Sequence, residues 1–281
     1  MQTLSLNLRT KGPEGEPLPA VFKWLDIQGA LIRRGQVTLV AGASGVGKSS
    51  FITYMAMNML DRELDRVPTL YFSADSDVTT FGIRAGTMAS SRLSTRQVEE
   101  RILRKDPEIL DQIEEATKHI WICFDSNPSG HDISDELDAY AMVTGEYPSL
   151  IVVDNLMDVQ TGGFEERQGQ DAVLAFLKQL STRTQAAVVV LCHVVASGRG
   201  TDENGNSVIL DYASGKVPIP LSGLMNKIDK RPRLILTLFE PDDCGLGVCI
   251  VKNNNGRRDA EGQLWHRIPR VHETMSFVNG W

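Results

Sequence analysis

The sequence predicts an α/β protein with a mainly parallel central sheet, flanking helices and an antiparallel edge near its carboxyl end. Three observations support this class. Apolar runs alternate with amphipathic helical stretches, as they do in strand–helix–strand units. Several runs are apolar throughout, which is typical of strands covered on both faces. The last two runs follow each other without an intervening helix, which favours an antiparallel pair.

The strands and helices can be placed in order along the chain. Strands are predicted for QVTLVAG at 36–42, TLYFSAD at 69–75, HIWICFD at 119–125, SLIVVDN at 149–155, AAVVVLCH at 186–193, RLILTLFE at 233–240 and GVCIVKN at 247–253. Helices are predicted for Ser49–Asp65, Ser94–Lys118, Ile133–Thr144 and Gly169–Arg183. Residues 1–20 carry glycine, proline and charge, and we expect a flexible arm there, followed by one domain over 21–281. The polar, glycine-rich stretch Ala196–Val217 is long for a loop in a compact domain, and such loops are usually functional or disordered.

Composition excludes several classes of protein. The net charge of -7 is unfavourable for a protein that coats duplex DNA non-specifically. No stretch approaches about 18 uninterrupted apolar residues, so we expect no transmembrane helix and no membrane partner. Residues 1–20 lack the apolar segment of a signal peptide. The four cysteines show no zinc-binding spacing and fit a reducing cytoplasm.

A glycine-rich turn follows the first strand and opens the first long helix. The segment GASGVGKS at 42–49 satisfies the pattern GxxxxGK[ST] in the strand–turn–helix context that the pattern requires. Backbone N–H groups of such a turn curve around phosphate oxygens, and the helix amino terminus adds positive potential. The sequence therefore predicts a site for ATP with Mg²⁺. The nucleotide-binding residues are predicted to be Gly42, Ala43, Ser44, Gly45, Val46, Gly47, Lys48, Ser49 and Ser50.

Other polar residues end neighbouring strands. Lys48 can reach the β- and γ-phosphates, while Ser49 and the strand-end carboxylate Asp154 are predicted to hold Mg²⁺. Asp75 and His193 end two further strands, and either could orient a water molecule for hydrolysis. Ligand-binding groups collect at the carboxyl ends of strands in open α/β sheets, so we expect these side chains to converge on one site.

Six stretches of the sequence give it a resemblance to a known family. They are RGQ at 34–36 leading into GASGVGKSSF, YFSAD at 71–75, RAGTMASSRLSTRQVEER at 84–101, SLIVVDNLMDV at 149–159, VVVLCHVV at 188–195 and IVKNNNGR at 250–257. The chain resembles the RecA-fold P-loop ATPases, and most of all the ATPase domain of hexameric replicative helicases of the DnaB type. The resemblance extends over about residues 21–270.

The resemblance implies a fold, an activity and partners. Residues 21–281 would form a RecA-like ATPase domain that acts as a motor on single-stranded DNA, a DnaB-like helicase in replication. The domain would assemble into a homo-oligomer, expected to be a hexameric ring, with a possible replication partner protein. Its setting would be the cytoplasm of a bacterium or of a phage-infected host. His193 would sense the γ-phosphate, and Asp75 would replace the catalytic glutamate.

The sequence departs from the family pattern in three places. Asp75 is one methylene shorter than glutamate, and Asp77 nearby is an alternative. Asn254 stands where the family has the arginine that, with a lysine, acts on the neighbouring subunit's nucleotide. Arg257 or Arg258 is predicted to take over beside Lys252, or Lys252 acts alone. One subunit would then lack a second cation of its own at the γ-phosphate. Third, we expect the chain to start almost at the ATPase core, which resembles short helicase-like or recombinase-like ATPases of phages more than a full cellular helicase.

Two loops are expected to face DNA by analogy with this family. Gln160–Gln170 contains two acidic residues and is poorly suited to hold phosphates. Ala196–Lys230 is the better candidate, because backbone N–H groups and basic residues can hold a single strand without regard to sequence. Its predicted DNA-binding residues are Arg199, Lys216, Ser222, Gly223 and Lys227.

Two other functions fit the same residues. A RecA-like recombinase shares the core but forms filaments. A nucleotide-switched loader or regulatory ATPase binds a protein partner, and the acidic charge and the missing finger arginine favour it.

Overall fold

A computed structural model describes residues 15–60, 66–163, 165–201 and 207–277. Its strands are β1 Val37–Gly42, β2 Thr69–Ser73, β3 Ile120–Cys123, β4 Leu150–Asp154, β5 Ala187–Cys192, β6 Ser197–Thr201, β7 Ser207–Asp211, β8 Leu234–Asp242, β9 Gly245–Asn253, β10 Trp265–Val271 and β11 Ser276–Phe277. Nine of them form one sheet in the order β11-β10-β9-β8-β1-β5-β4-β2-β3. The six strands from β8 to β3 are parallel, and β9, β10 and β11 continue the sheet antiparallel. The predicted mainly parallel sheet with an antiparallel edge is confirmed.

The central strands are buried on both faces because helices cover both. Successive side chains of a strand point to opposite faces. Accordingly, Val189 and Leu191 of β5 belong to one hydrophobic core, whereas Val188 and Val190 belong to the other. This explains why the strand sequences are apolar throughout instead of alternating.

The helices are α1 Lys23–Ile27, α2 Lys48–Asn58, α3 Val78–Ser90, α4 Thr95–Leu103, α5 Pro107–Thr117, α6 Gly130–Thr144 and α7 Glu166–Thr184. The prediction of one helix over Ser94–Lys118 is wrong, because the chain breaks between α4 and α5. A proline in a helix interior removes a backbone hydrogen bond and clashes with the preceding turn, so Pro107 can only begin a helix. Asp106 caps this new helix by accepting a hydrogen bond from the Glu108 N–H at 3.0 Å.

Other helix boundaries also differ from the predicted ones. The predicted helix Ser49–Asp65 ends at Asn58, and residues 61–65 lie outside the described part. The α3 helix was missed because its sequence, VTTFGIRAGTMAS, is rich in threonine and glycine, which have low helix propensity. Its start is nevertheless encoded locally, since Asp77 accepts a bond from the Thr80 N–H at 2.7 Å.

The long polar stretch Ala196–Val217 is neither wholly irregular nor detached from the domain. It contains the antiparallel hairpin of β6 and β7, whose turn lies outside the described residues. Tyr212 is 1% exposed at the base of this hairpin, and a Cβ on Gly198 would lie 2.5 Å from its ring. Glycine at 198 is therefore required for the close approach of the hairpin to Tyr212.

The predicted arm over 1–20 contacts the domain where it is described. Leu18 is 3% exposed and its N–H donates to the Ile32 carbonyl at 2.8 Å. The boundary at residue 20 remains a prediction, and residues 1–14 lie outside the described part. Within the described residues, none of the helices has both the length and the hydropathy needed to cross a membrane.

Candidate nucleotide site

The turn between β1 and α2 has the shape of a phosphate cradle. Gly45 and Gly47 have positive φ angles of 78° and 96°, which glycine adopts without strain. A Cβ on Gly45 would meet no atom within 4 Å, so the turn is open on that side. A Cβ on Gly42, by contrast, would lie 2.9 Å from the Leu238 carbonyl oxygen. The glycines thus serve both the curvature of the turn and its packing on β8.

Lys48 begins α2 and its ammonium group lies inside this turn. Its Nζ donates to the carbonyl oxygens of Gly42 at 3.0 Å and Ala43 at 2.8 Å. Burial lowers the pKa of Lys48, and the charges of Asp154 and Asp75 oppose this shift. The lysine is therefore held at the mouth of the turn with two carboxylates within electrostatic range.

Asp154 ends β4 and is 2% exposed. The Tyr71 hydroxyl donates to its Oδ2 at 2.9 Å, and the side chain of Ser49 also bonds to it. Burial raises the pKa of Asp154, although these two hydrogen bonds oppose the rise. A serine hydroxyl beside a carboxylate is an oxygen donor pair that suits Mg²⁺.

The donor set fits a metal that is held partly by its nucleotide. The described residues contain no group of three or more His, Cys, Asp or Glu side chains that could hold a metal ion by themselves. Mg²⁺ in nucleotide sites usually keeps several waters and binds one or two protein groups plus phosphates. Ser49 and Asp154 are therefore sufficient as the protein's share.

Asp75 and His193 lie at the carboxyl ends of β2 and β5, in the same row as Asp154. The sheet order β1-β5-β4-β2 brings these ends side by side, as the strand-end argument predicts. His193 Nδ1 is 3.5 Å from Lys48 Nζ. Burial and then the Lys48 charge lower the pKa of His193, whereas Asp75 and Asp154 oppose this, so the ring is neutral at pH 7. Asp75 is exposed to solvent at this edge.

Asp77, the alternative to Asp75, has a different role in the structure. Its carboxylate caps α3, and the bond from the Thr80 N–H lowers the pKa of Asp77. Because this carboxylate is already engaged, the geometry favours Asp75 as the water-orienting group.

Two residues near the site were not assigned from the sequence. Arg84 on α3 lies close enough for its charge to lower the pKa of Asp154, so a further cation lies near this carboxylate. Its Nη1 is buried and has no hydrogen-bond partner among the described residues. Arg84 follows Asp77 by two helical turns, so the two residues lie on one face of the helix. This spacing could have indicated from the sequence that Arg84 lies near the site. Asp158 is the other, and burial together with the charges of Asp75 and Asp154 raises its pKa.

A backbone connection joins the site to the second predicted DNA loop. Just beyond His193, Val194 forms an isolated β-bridge with Leu224. The Val195 N–H donates to the Gly223 carbonyl at 2.9 Å. The segment after β5, which begins with His193, is therefore hydrogen-bonded directly to Gly223 and Leu224 at the Ser222–Gly223 turn.

The predicted DNA-binding residues lie in different environments. Arg199 and Ser222 are exposed, whereas Gly223 is buried. Lys216 lies 3.4 Å from a Glu240 oxygen and 3.7 Å from an Asp243 oxygen. For Lys227 only the backbone, in the short 3₁₀ turn Met225–Lys227, is described.

The two predicted DNA loops also contact each other. The Asn226 amide donates to Glu166 at 3.2 Å and to Gln170 at 3.0 Å. Arg231, just after the second loop, forms two bonds with the Asp171 carboxylate, at 2.9 and 2.6 Å.

The cations predicted to act on a neighbour lie at the end of β9 and just after it. Lys252 is half-buried, and its Nζ donates to the Asp229 carbonyl at 2.5 Å within its own chain. Arg257 and Arg258 are exposed in the following turn. The two arginines are therefore free to reach another molecule, whereas Lys252 fixes the end of the second loop.

Comparison with known proteins places the chain in a family. The sequence profile described as an AAA domain matches residues 14–198. The chain belongs to this AAA domain family. It is also 34% identical to the gene 65 protein of Mycobacterium phage L5, over 98% of this chain and 97% of that protein. It is 31% identical to the gene 65 protein of Mycobacterium phage D29, over 85% of this chain and 97% of that protein.

Solved structures confirm the fold of this AAA domain protein. A structure described as an ATPase domain superposes with a TM-score of 0.72 at 16% identity, covering 98% of this chain and 95% of that one. A DnaB-like replicative helicase, described with its interactions with primase, gives the same TM-score and identity, covering 98% of this chain and 66% of that one. The predicted resemblance to DnaB-type ATPase domains is therefore confirmed at the level of the fold.

Proposed function

We propose that this protein hydrolyses ATP and uses the energy to move along single-stranded DNA, as a DnaB-like helicase. The observation that carries the proposal is the hydrogen-bonded path from His193 to the Ser222–Gly223 turn. It connects a side chain that lies 3.5 Å from the Lys48 ammonium to the loop best suited to hold a single strand. A change at the phosphate end of the site therefore has a short covalent and hydrogen-bonded route to the loop.

Each residue of the site has a separate role in this proposal. The turn Gly42–Ser50 binds the phosphates, and Lys48 offsets charge on the β- and γ-phosphates. Bound Mg²⁺ supplies further positive charge at these phosphates, with Ser49 and Asp154 as its protein partners. Asp75 orients the attacking water, and neutral His193 senses the γ-phosphate. We infer that Arg84 holds the carboxylates of the site in place through its charge.

The proposed assembly is a homo-oligomeric ring, with a hexamer as in the resembling family. Arg257 and Arg258 are exposed beyond β9 and are proposed to reach the nucleotide of the neighbouring subunit. A trans cation of this kind is typically worth a factor of about 10³ to 10⁵ in kcat. Lys252 contributes from within its own chain by holding the carbonyls of Asp229 and Lys230.

The first experiment measures ATP turnover with and without single-stranded oligo-dT. We expect turnover that oligo-dT stimulates, with a binding affinity that falls as salt rises, because phosphate contacts release counterions. Lys48→Ala should abolish turnover and keep the fold, as judged by circular dichroism. Full turnover by a folded Lys48→Ala variant would show that the phosphate site has been misassigned.

The second experiment tests the shared active site. Lys48→Ala subunits are mixed with subunits that carry Arg257→Ala and Arg258→Ala together. Some interfaces in mixed rings pair an intact turn with intact arginines, so turnover should partly return. If the arginine double variant is as active as the wild type, or stays inactive after mixing, the trans role is refuted.

One observation favours a second function, a nucleotide-switched loader that binds a protein. Lys216 is paired with acidic residues, and Glu165 and Glu166 lie in the other predicted DNA loop. Acidic surroundings are unfavourable for a nucleic-acid strand. ATP turnover that oligo-dT does not change, together with no retention of the oligonucleotide, would favour the loader over the motor.

A further inference from the structure

A buried arginine lies behind the phosphate-binding turn. Arg270 comes from β10, near the far end of the sheet, and its side chain is 7% exposed. Its Nη1 donates to the Val46 carbonyl oxygen at 3.3 Å. A Cβ on Gly47 would lie 2.9 Å from the same Nη1. The guanidinium group therefore packs against two consecutive residues of the turn.

Glu240, two residues before the end of β8, holds this guanidinium group. Arg270 Nη2 forms a close ion pair with Glu240 Oε1, and it lies 2.7 Å from Nε2 of His272. Burial by itself raises the pKa of Glu240, but the bonds and charges of Arg270 and Lys216 outweigh it and keep the pKa below its ordinary value. Glu240 is therefore ionised at neutral pH and fixes the orientation of the arginine.

Glu240 is itself fixed by the segment that leaves the hairpin. Its backbone N–H donates to the Gly215 carbonyl at 2.6 Å, and Lys216 lies 3.4 Å from its other carboxylate oxygen. Gly215 packs on the turn, because a Cβ there would lie 3.4 Å from the Cβ of Ala43. The pair of Glu240 and Arg270 is thus enclosed between the turn, two strands and this segment.

An ion pair in such a place does not by itself make the protein more stable. Desolvation of two charges can exceed their attraction, and a hydrophobic pair of similar volume is often as stable. Arg270 Nε is also buried without a hydrogen-bond partner among the described residues. A group of this kind calls for an explanation other than packing.

We propose that Arg270 is a positioning residue of the nucleotide site, held in place by Glu240. The planar peptide between Val46 and Gly47 directs its C=O and N–H to opposite sides. Because Arg270 holds the carbonyl on the outside of the turn, the Gly47 N–H is directed into the cradle, toward the phosphates. The guanidinium charge adds to the positive potential of the cradle. This role rests on the nucleotide binding proposed above.

The test measures the dissociation constant of Mg·ADP by titration with a fluorescent analogue, together with KM and kcat for ATP. Arg270→Gln should raise the dissociation constant and KM about tenfold, equivalent to about 1.4 kcal/mol. It should change kcat by less than about twofold, because the turn binds the phosphates equally before and during the reaction. Arg270→Lys, which keeps the charge but not the planar fork, should lie between it and the wild type.

Arg267→Gln is the matched control. Arg267 lies on the same strand and forms a two-bond ion pair with Asp242, at 2.8 Å each, but this pair is exposed and does not contact the turn. Its dissociation constant should equal that of the wild type. Equal losses of affinity in the Arg267 and Arg270 variants would overturn the positioning role.

A charge exchange separates positioning from folding. Glu240→Arg with Arg270→Glu restores an ion pair but leaves no donor at position 270 for the Val46 carbonyl. We expect the melting temperature to recover relative to Arg270→Gln while Mg·ADP stays weakly bound. Wild-type affinity in the folded exchange variant or in folded Arg270→Gln would refute the proposal. If the wild-type protein fails to bind Mg·ADP, the nucleotide function itself fails, and the role of Arg270 with it.

Discussion

Removal of the Tyr71 hydroxyl group tests how the carboxylate of Asp154, the proposed metal-binding residue, is held. Tyr71 is fully buried and donates to Asp154 Oδ2 at 2.9 Å. A hydrogen bond to a charged group contributes about 1.5–3 kcal/mol, and Tyr71→Phe removes it without adding volume. We therefore expect the free energy of unfolding at pH 8 to fall by about 2 kcal/mol. For a domain of this size the melting temperature should fall by roughly 4–8 °C.

The loss of stability in Tyr71→Phe should depend on pH, and the burial of Asp154 determines the direction of this dependence. Burial raises the pKa of Asp154, so the folded state keeps this proton to higher pH than the unfolded chain. Between the ordinary value of about 3.9 and the raised folded pKa, stability falls as pH rises. The Tyr71 bond favours the ionised form, so its removal raises the folded pKa further. The deficit of Tyr71→Phe should therefore be larger at pH 8 than at pH 5.

Urea denaturation of the wild type and the variant at both pH values measures this difference. Tyr54→Phe is the control, because the Tyr54 hydroxyl donates to the neutral Phe277 carbonyl at 3.0 Å. Its loss should be about 1 kcal/mol at both pH values. The reasoning is refuted if Tyr71→Phe costs no more than the control, or if its deficit is the same at pH 5 and pH 8.

Three further outcomes are expected. Asp75→Asn should lower kcat by far more than it changes KM, whereas Asp77→Ala should cost about 1 kcal/mol of stability through the lost helix cap; a large loss of kcat in Asp77→Ala with none in Asp75→Asn would make Asp77 the water-orienting group. Because its pKa lies below the ordinary value of about 6.5, His193 should limit turnover only in acid, and a kcat that declines above pH 7 on its account would contradict this assignment. Gly198→Ala should displace Tyr212 and lower the free energy of unfolding by about 1–3 kcal/mol. Oligo-dT should then no longer stimulate ATP turnover, although Mg·ADP still binds. Unchanged stimulation of turnover would show that the hairpin base does not position the loop.

Local sequence was sufficient for the phosphate turn and the row of strand-end residues. Gly45 and Gly47 supply positive φ angles that few other residues tolerate, so the turn can be identified from its own residues. Asp154 and His193 could be placed because parallel strands present their carboxyl ends at the same edge. The break at Pro107 was also encoded locally, although the helical periodicity on either side concealed it.

Only the tertiary structure determines which side chains pack behind the glycine-rich turn and around the second predicted DNA loop. Arg270 is 224 residues from Val46, and Lys252 is 23 residues from Asp229, so no local period or motif relates either pair. Their meeting depends on the order in which β8, β9 and β10 extend the sheet beside β1. Side-chain periodicity records which face of an element is buried, but not which element covers it. The sequence by itself therefore determined the glycine-rich turn, and the packing of distant strands determined which charged groups lie behind it.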